Sequence, residues 1–216
     1  RPVTRYGRDD SSFAFLTKRF GVPTDPALGT RRARAAALLT AALPGSLYIY
    51  QGDELGLPEV EDIPEGLRQD PMHFRSGGVD PGRDGCRVPP PWSGTRQPFG
   101  FSSEHSTAAP WLPQPASWAQ YTVEAEQNDP HSMLSLYRAA LAIRHDDDEL
   151  GDGPFEWIES EPTTLAFRRG PRFISITNFA AQPLALPHGA ELVLGSEELV
   201  DGKLPPDSTA WLRPQH

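Results

Sequence analysis

Apolar residues follow a helical period in two segments of the chain. Residues 30–43 are rich in Ala and Leu and meet no helix breaker before Pro44, which predicts a helix with Thr30 as candidate N-cap. Residues 132–144 place apolar side chains at roughly helical spacing and predict a second helix. The short apolar run at 47–50 is typical of a buried parallel strand. A helix running into such a strand is half of a repeating β/α unit.

From residue 155 onward, apolar residues come in short runs that turn signals separate, a pattern typical of an antiparallel β-sandwich. The predicted strands are 155–158, 164–167, 172–178, 191–194 and 208–212. The change from helical periodicity to short apolar runs places a domain boundary near residue 150. This predicts one domain over 1–150 and a second over 151–216.

Residues 51–129 show few periodic segments. The chain has 24 prolines and 19 glycines, and many of them lie in this part of the sequence. Their combined usage exceeds the average of roughly 12%. An irregular segment of this length is improbable inside a compact domain unless it is functional, and barrel enzymes carry such loops at the carboxyl ends of their strands.

Two groups of charges conflict with the helix prediction. Arg31, Arg32 and Arg34 fall in the first turn of the first predicted helix, where the helix dipole disfavours cations. The acids at 146–149 follow the second predicted helix, and acids near a helix C-terminus are also unfavourable. We therefore expect the acids at 146–149 to lie in a solvated linker.

The net charge of −9 argues against nucleic acid or an anionic membrane as a partner. No apolar run approaches the roughly 20 residues that span a bilayer. Cys86 is the single cysteine, so an intrachain disulfide is excluded. This cysteine usage fits a reducing compartment, and we expect the protein to be cytoplasmic.

Two arginines, Arg83 and Arg87, lie four residues apart in the segment GRDGCRVPPPW at 82–92. A guanidinium group can hold sugar hydroxyls or a carboxylate with fixed geometry. Composition alone favours a structural interpretation, in which the arginines hold a surface loop through ion pairs to Asp80 or Asp84.

The order of residues in 82–92 changes that balance. It resembles the Gly-Arg-Asp-x-x-Arg-[Thr/Val]-Pro-x-x-Trp segment that α-glucosidases of glycoside hydrolase family 13 carry after the eighth barrel strand, and every fixed position matches. Residues 44–56, PGSLYIYQGDELG, resemble strand eight and its loop, and residues 1–7, RPVTRYG, resemble the run after the last catalytic Asn-His-Asp motif. The resemblance implies two substrate-binding candidates: Arg83, which would face the glucose in the cleaved subsite, and Arg87, which would anchor the loop.

The resemblance also implies a fold, the carboxy-terminal part of a (β/α)8 TIM barrel followed by a small antiparallel β-sandwich. The barrel part would run from after strand seven to helix eight, over 1–150. The implied activity is retaining hydrolysis of terminal α-glucosidic bonds in short oligosaccharides such as maltose, isomaltose or sucrose, with no cofactor. The substrate partner would be such an α-glucoside.

The family reacts through two aspartates and a glutamate, and none of the motifs that carry them occurs in 1–216. We therefore assign no catalytic residue. We expect the chain to be a piece of a longer polypeptide or a truncated reading frame, inactive alone, with the missing amino-terminal barrel segment as its partner.

Three alternatives stay open. One is a trehalose-forming or glucosyl-transferring relative with the same barrel. Another is a non-catalytic scaffold, although such a scaffold has no need of a charged sugar-facing residue such as Arg83. The third is an independent carbohydrate-binding β-sandwich at 155–216, which is weak because its aromatic residues alternate as core residues do.

Other candidate groups have simpler explanations. The adjacent acids Asp53 and Glu54 point to opposite faces of an extended segment, so they make a poor acid–base pair and are expected to be structural. Arg5 and Tyr6 could build a subsite wall, but packing is the favoured role. Aromatic residues of the proline-rich loop are expected to form its small core rather than a sugar-stacking platform: Trp92, Phe99, Phe101, Trp111 and Trp118.

No metal site is indicated, because His73, His105 and His131 are scattered without metal-ligand spacing. Cys86 has no histidine nearby in sequence, so we do not expect it to act as a nucleophile.

Overall fold

The computed structural model describes residues 1–8, 22–103 and 105–215. The chain divides into two compact units. The first contains Arg1–Thr30 and Tyr50–Ser135, and the second contains Arg31–Ile49 and Leu136–His216. The domain boundary near residue 150 stays a prediction.

Within the described ranges, the α-helices are α1 (Pro2–Tyr6), α2 (Pro26–Ala42), α3 (Pro71–Arg75), α4 (Asp84–Arg87), α5 (Val123–Glu126) and α6 (Met133–Asp146). Short 3-10 helices occupy Glu65–Leu67, Ala116–Tyr121 and Asp148–Leu150. The strands are β1 (Phe155–Ile158), β2 (Thr164–Arg169), β3 (Phe173–Asn178), β4 (Leu184–Ala185), β5 (Glu191–Gly195), β6 (Lys203–Leu204) and β7 (Ser208–Arg213).

Helix α2 forms as predicted but begins at Pro26, four residues earlier than expected. The Asp25 carboxylate caps it, because Oδ1 accepts the backbone N–H groups of Ala27 at 2.9 Å and Leu28 at 3.0 Å. Proline is favoured at the first helical position, where its missing N–H costs nothing. The expectation that Thr30 caps this helix was therefore wrong.

The earlier start of α2 removes the conflict between its arginines and the helix dipole. Arg31, Arg32 and Arg34 now lie beyond the first turn. Arg31 and Arg32 pair with Asp207 at 3.7 and 2.9 Å. Arg34 pairs with Glu197 at 3.3 Å. All of these partners belong to the second unit, so the arginines connect α2 to the loops beside its sheet.

Residues 47–50 do not form the expected strand. The segment has no ladder partner among the described residues, and the side chain of Tyr48 is 92% exposed. A strand requires a neighbour that takes its backbone N–H and C=O groups, and apolar composition alone supplies none.

The second unit contains a five-stranded antiparallel sheet in the order β1-β2-β3-β7-β5 and a separate pair, β4 with β6. All five strands predicted from the sequence form, and the antiparallel arrangement is confirmed. In the centre of the sheet Ile176 lies opposite Ala210. Strand β5 carries a bulge between Leu192 and Leu194. The sequence missed β4 and β6, because two residues are too few to show an alternating pattern.

The two faces of this sheet carry different residues, as the period of two requires. One face buries an aliphatic cluster, which Leu204 of β6 joins: Ala166, Ile174, Ile176, Ala210 and Leu212. Side chains of the alternate positions bind the carbonyls of α2. The Thr209 hydroxyl donates to the Ala35 oxygen at 2.9 Å, and the Trp211 indole N–H donates to the Leu38 oxygen at 3.1 Å. Helix α2 is therefore hydrogen-bonded to the sheet through side chains.

Two arginines satisfy the carbonyl groups at the end of α2, which the helix itself leaves unpaired. Arg169 is fully buried on β2 and donates to the oxygens of Ala42 at 2.9 Å and Gly151 at 2.7 Å. Arg144 on α6 donates to the Leu43 oxygen at 2.9 Å. Burial, together with the charge of Arg144, lowers the pKa of the Arg169 guanidinium. Its positive charge is compensated by carbonyl dipoles at a helix C-terminus.

The acids at 146–149 do not all lie in a solvated linker, and that expectation was wrong for two of them. Asp147 and Glu149 are buried. Arg213 pairs with Asp147 at 2.8 Å, and Arg172 pairs with Glu149 at 2.9 Å. Both arginines lie in the part of the chain that forms the sheet, so a long-range contact that the local pattern does not contain determines where these acids lie.

The first unit is built around the long irregular segment, whose core is apolar: Leu55, Leu57, Val60, Ile63, Val88, Phe99, Leu112, Trp118 and Leu134. Two aromatic residues of the proline-rich loop, Phe99 and Trp118, lie in this core as expected. The expectation was wrong for Trp92, Phe101 and Trp111, which are exposed.

In the described part of the chain, no helix combines the length and the apolar character that crossing a membrane requires.

Replacing Arg169 should destabilise the chain strongly. We expect Arg169→Met to lower the free energy of unfolding by about 2–4 kcal/mol, because several buried carbonyls lose a charged donor. Arg168→Met is the matched control, since the neighbouring arginine is exposed, and it should change stability by less than about 0.5 kcal/mol. Urea denaturation followed by tryptophan fluorescence measures both, and equal effects would contradict the role assigned to Arg169.

Candidate functional site

Two buried carboxylates link the segment before α3 to the segment at 82–92, which we call the arginine loop. The Asp70 Oδ1 atom accepts the Met72 N–H at 3.0 Å and caps α3. The Asp84 Oδ2 atom accepts the backbone N–H groups of Gln69 at 2.7 Å and Asp70 at 2.9 Å. Asp84 therefore fixes the backbone that carries Asp70.

The second oxygen of Asp70 collects donors from the arginine loop. Its Oδ2 accepts the Arg83 backbone N–H at 2.8 Å and the Arg83 Nε at 3.3 Å. It also accepts the Arg87 Nη2 at 3.1 Å. The Arg87 Nη1 lies 3.6 Å from Asp84 Oδ1. Both predicted arginines therefore converge on one buried carboxylate, and Asp70 is the residue that the sequence analysis missed.

Opposing effects determine the ionisation of Asp70. Burial alone would raise the pKa of the carboxyl. Hydrogen bonds from the backbone of Met72 and Arg83, together with the guanidinium groups of Arg83 and Arg87, outweigh burial and lower the pKa of Asp70 to about 2. The carboxylate is consequently ionised throughout the neutral range, which keeps both arginines in place.

Glycines allow the arginine loop to approach its neighbours closely. Gly82 has φ of +71°, and a Cβ there would lie 2.6 Å from the Asp70 Cβ. A Cβ on Gly85 would lie 2.4 Å from the Val60 oxygen. The Val60 N–H donates to the Gly85 oxygen at 3.0 Å. The two glycines are therefore needed for the contact that holds the loop.

The Arg1 side chain joins the arginine loop to residues 50–53. Its Nη2 donates to the Cys86 oxygen at 2.9 Å, and its Nη1 donates to the Gln51 oxygen. The guanidinium carbon lies 5.6 Å from the centre of the Tyr50 ring. These contacts bring together two segments that the resemblance singled out separately, the strand-eight loop and the arginine loop.

The two arginines differ in exposure. The side chain of Arg83 is 64% exposed and that of Arg87 is 36% exposed. Among the described residues only Nε of the Arg83 side chain has a partner, so its Nη1 and Nη2 are available to a ligand. Arg87 uses both Nη atoms on the carboxylates of Asp70 and Asp84. The Arg83 guanidinium can thus offer two further donors to a ligand while its Nε atom is held in place.

The family described as "Alpha amylase, catalytic domain" matches residues 17–153, which is more than half of the chain. The chain belongs to the alpha-amylase family. This confirms the resemblance drawn from the arginine loop, and it places the long irregular segment and its buried carboxylates within an alpha-amylase catalytic domain.

Two curated members of the alpha-amylase family illustrate the similarity. The chain is 39% identical over 137 residues to a probable alpha-glucosidase of Rhizobium meliloti, covering 63% of this chain and 24% of the relative. It is 28% identical over 234 residues to a trehalose-6-phosphate hydrolase of Bacillus subtilis, covering 94% of this chain and 37% of the relative. The chain thus spans between about a quarter and two fifths of these relatives.

A crystal structure of an alpha-glucosyl transfer enzyme superimposes with a TM-score of 0.70 at 32% identity. The match covers 86% of this chain and 36% of that enzyme. The expected fold class is confirmed, namely the end of an alpha-amylase-family barrel followed by an antiparallel β-sandwich.

The other candidate residues of this alpha-amylase-family chain make contacts within the protein. Glu54 accepts the Gly52 N–H at 2.7 Å, and Asp53 lies 3.9 Å from Arg1, so the two adjacent acids do not converge. Arg5 pairs with Glu59 at 3.4 Å.

Both ring nitrogens of the buried His73 also have polar partners within the protein. His73 Nδ1 lies 3.1 Å from the Asp80 oxygen and Nε2 lies 2.7 Å from Glu65 Oε1. The described residues contain no group of three or more His, Cys, Asp or Glu side chains that could hold a metal ion.

Gly82→Ala should disrupt the arginine loop more than Gly94→Ala. Both glycines have positive φ, +71° and +76°, but a Cβ at Gly94 meets nothing within 4 Å. Backbone strain alone should cost about 1–2 kcal/mol at either position, and the contact with Asp70 adds to it only at Gly82. Thermal unfolding measures the difference, and equal losses would show that the loop does not need the close approach.

The lowered pKa of Asp70 predicts how stability depends on pH. The stabilisation is present above the ordinary aspartate pKa of about 3.9, and it is lost as the pH falls through about 2. The difference in unfolding temperature between the wild type and Asp70→Asn should therefore be constant from pH 7 to about 4 and shrink below that. A difference that does not change down to pH 2 would contradict an ionised Asp70.

Proposed function

We propose that this chain forms part of an α-glucosidase that hydrolyses terminal α-glucosidic bonds of short oligosaccharides with retention of configuration. In this proposal Arg83 donates hydrogen bonds to hydroxyls of the glucose in the cleaved subsite. The observation that carries the proposal is the exposed Arg83 guanidinium, which a buried carboxylate fixes at Nε while neither Nη atom has a partner in the described ranges.

A fixed guanidinium suits a sugar for two reasons. Its Nη donors lie in one plane at a set spacing, and charge-assisted hydrogen bonds are stronger than neutral ones. Because Asp70 already orders the side chain, binding a hydroxyl costs less side-chain entropy than it would at a mobile arginine. Arg87 supports the loop in this proposal, since both of its Nη atoms contact carboxylates.

The reacting groups would come from the rest of the enzyme. Retaining glycosidases use two carboxyl groups about 5–5.5 Å apart, and no match to the motifs that carry them occurs in this chain. The chain would supply part of the substrate site, with an amino-terminal barrel segment as its partner and a short α-glucoside as substrate. The single cysteine supports a cytoplasmic location as part of the same proposal.

Glucosyl transfer is the second candidate function. The similarity to a solved alpha-glucosyl transfer enzyme at 32% identity supports it. Both functions would use the same arginine contact, because a covalent glucosyl intermediate can pass to water or to another sugar. Analysis of the products from maltose distinguishes them: glucose alone indicates hydrolysis, and longer oligosaccharides indicate transfer.

Arg83→Ala should weaken transition-state binding in the enzyme that carries this chain. We expect kcat/KM for maltose to fall by an amount equal to roughly 2–4 kcal/mol, as loss of a charged hydrogen-bonding group would cause. Arg75→Ala is the matched control, because Arg75 is an exposed arginine at the end of the nearby helix α3.

Steady-state kinetics of both variants test the assignment. Arg75→Ala should keep wild-type kinetics. Wild-type kinetics in Arg83→Ala as well would remove Arg83 from the substrate site and with it the observation on which the proposal rests.

A further inference from the structure

The two arginines of the arginine loop form, with Asp70 and Asp84, a cluster that carries no net charge. Asp70 Oδ2 lies 3.3 Å from Arg83 Nε and 3.1 Å from Arg87 Nη2, and Asp84 Oδ1 lies 3.6 Å from Arg87 Nη1. Both carboxylates are fully buried. Two positive and two negative charges therefore cancel within one hydrogen-bonded cluster.

The next charges outward come as opposite pairs as well. Arg68 lies 3.6 Å from Glu65, and Arg1 lies 3.9 Å from Asp53. The Asp80 carboxylate accepts the Gly82 N–H at 2.8 Å, which adds a negative charge at the start of the arginine loop. Within the described part of the chain, these neighbouring groups consequently add no positive excess to the cluster.

This balance matters for the kind of sugar that can bind. An uncharged glucoside needs donors for its hydroxyls, and Arg83 supplies them whatever the net charge of the loop. A phosphate group carries about −1.5 to −2 charges at pH 7 and binds where positive charge exceeds negative charge. Both classes of sugar occur among the substrates named for members of this family, because one relative is a trehalose-6-phosphate hydrolase.

We infer that Asp70 is a positioning residue that makes this site select uncharged glucosides over phosphorylated ones, by holding Arg83 and Arg87 while cancelling their positive charge. The inference rests on the proposed function, in which Arg83 contacts the glucose. It adds a specificity rule that the family membership leaves open.

Two variants of opposite charge separate this role from a purely structural one. Asp70→Asn raises the charge of the cluster by one and keeps the size of the side chain. Arg87→Gln lowers the charge by one, and the glutamine amide keeps a hydrogen-bond donor for the carboxylates that Arg87 contacts. A disturbed fold would change binding of the phosphorylated sugar relative to the uncharged sugar in the same direction in both variants. A charge effect would change it in opposite directions.

The experiment measures competitive inhibition by glucose and by glucose 6-phosphate, with p-nitrophenyl α-glucoside as the reporter substrate, in the enzyme that carries this chain. The readout is the inhibition constant of glucose 6-phosphate divided by that of glucose. In the wild type we expect a ratio well above one. Asp70→Asn should lower the ratio and Arg87→Gln should raise it, each by roughly threefold to tenfold for one unit charge near the ligand.

Asp62→Asn is the matched control, since Asp62 is an exposed acid of the same irregular segment, and it should leave the ratio unchanged. Introduced into the wild-type enzyme, Asp70→Asn should also lower kcat/KM for the reporter substrate. Introduced into the Arg83→Ala variant, it should lower kcat/KM little further, because Asp70 acts through Arg83. If Asp70→Asn does not fold, the Arg87→Gln ratio tests the inference alone.

A ratio that stays constant, or that moves in the same direction in both charge variants, would overturn the inference. That result differs from a failure of the proposed function, in which Arg83→Ala keeps wild-type kinetics towards the reporter.

Discussion

A charged carboxylate without access to water is costly unless donors surround it, and Asp70 is such a group. Its two oxygens receive backbone donors from Met72 and Arg83 and guanidinium donors from Arg83 and Arg87. These contacts fix different parts of the first unit: the start of α3, the backbone of the arginine loop and the guanidinium groups of Arg83 and Arg87. The geometry of the candidate site is therefore a consequence of satisfying one buried charge.

Asp84 plays the complementary part, because its carboxylate accepts the backbone N–H of Asp70 itself. Each aspartate thus holds the chain that presents the other. Such reciprocal bonding makes the two segments act as one structural element, even though each contains few residues in regular secondary structure. It explains how an irregular part of the chain can present a guanidinium group with a defined orientation.

The sequence predicted those parts of the fold that depend on local periodicity. Both long helices and the five longer strands form where the pattern indicated them. The errors concern long-range partners. Residues 47–50 have the composition of a strand but no strand partner among the described residues. Asp147 and Glu149 are buried because arginines of the sheet segment pair with them.

The candidate site shows the same division. Arg83 and Arg87 were found from their spacing and from the family resemblance, whereas Asp70 was not. The Asp-Pro dipeptide at 70–71 indicates a helix start by itself. Nothing local indicates that the same carboxylate binds two arginines 13 and 17 residues further along. A residue with one local and one distant role shows only the local role in its sequence pattern.

The contacts between α2 and the sheet bear on how members of this family can exchange segments during evolution. Thr209, Trp211 and Arg169 of the sheet hydrogen-bond to carbonyls of α2, which lies more than a hundred residues earlier in the sequence. A recombination event that replaced only the carboxy-terminal strands would bring in side chains selected against a different helix. Productive exchanges should therefore inherit α2 together with the sheet, as one unit of descent made from two distant stretches of the gene.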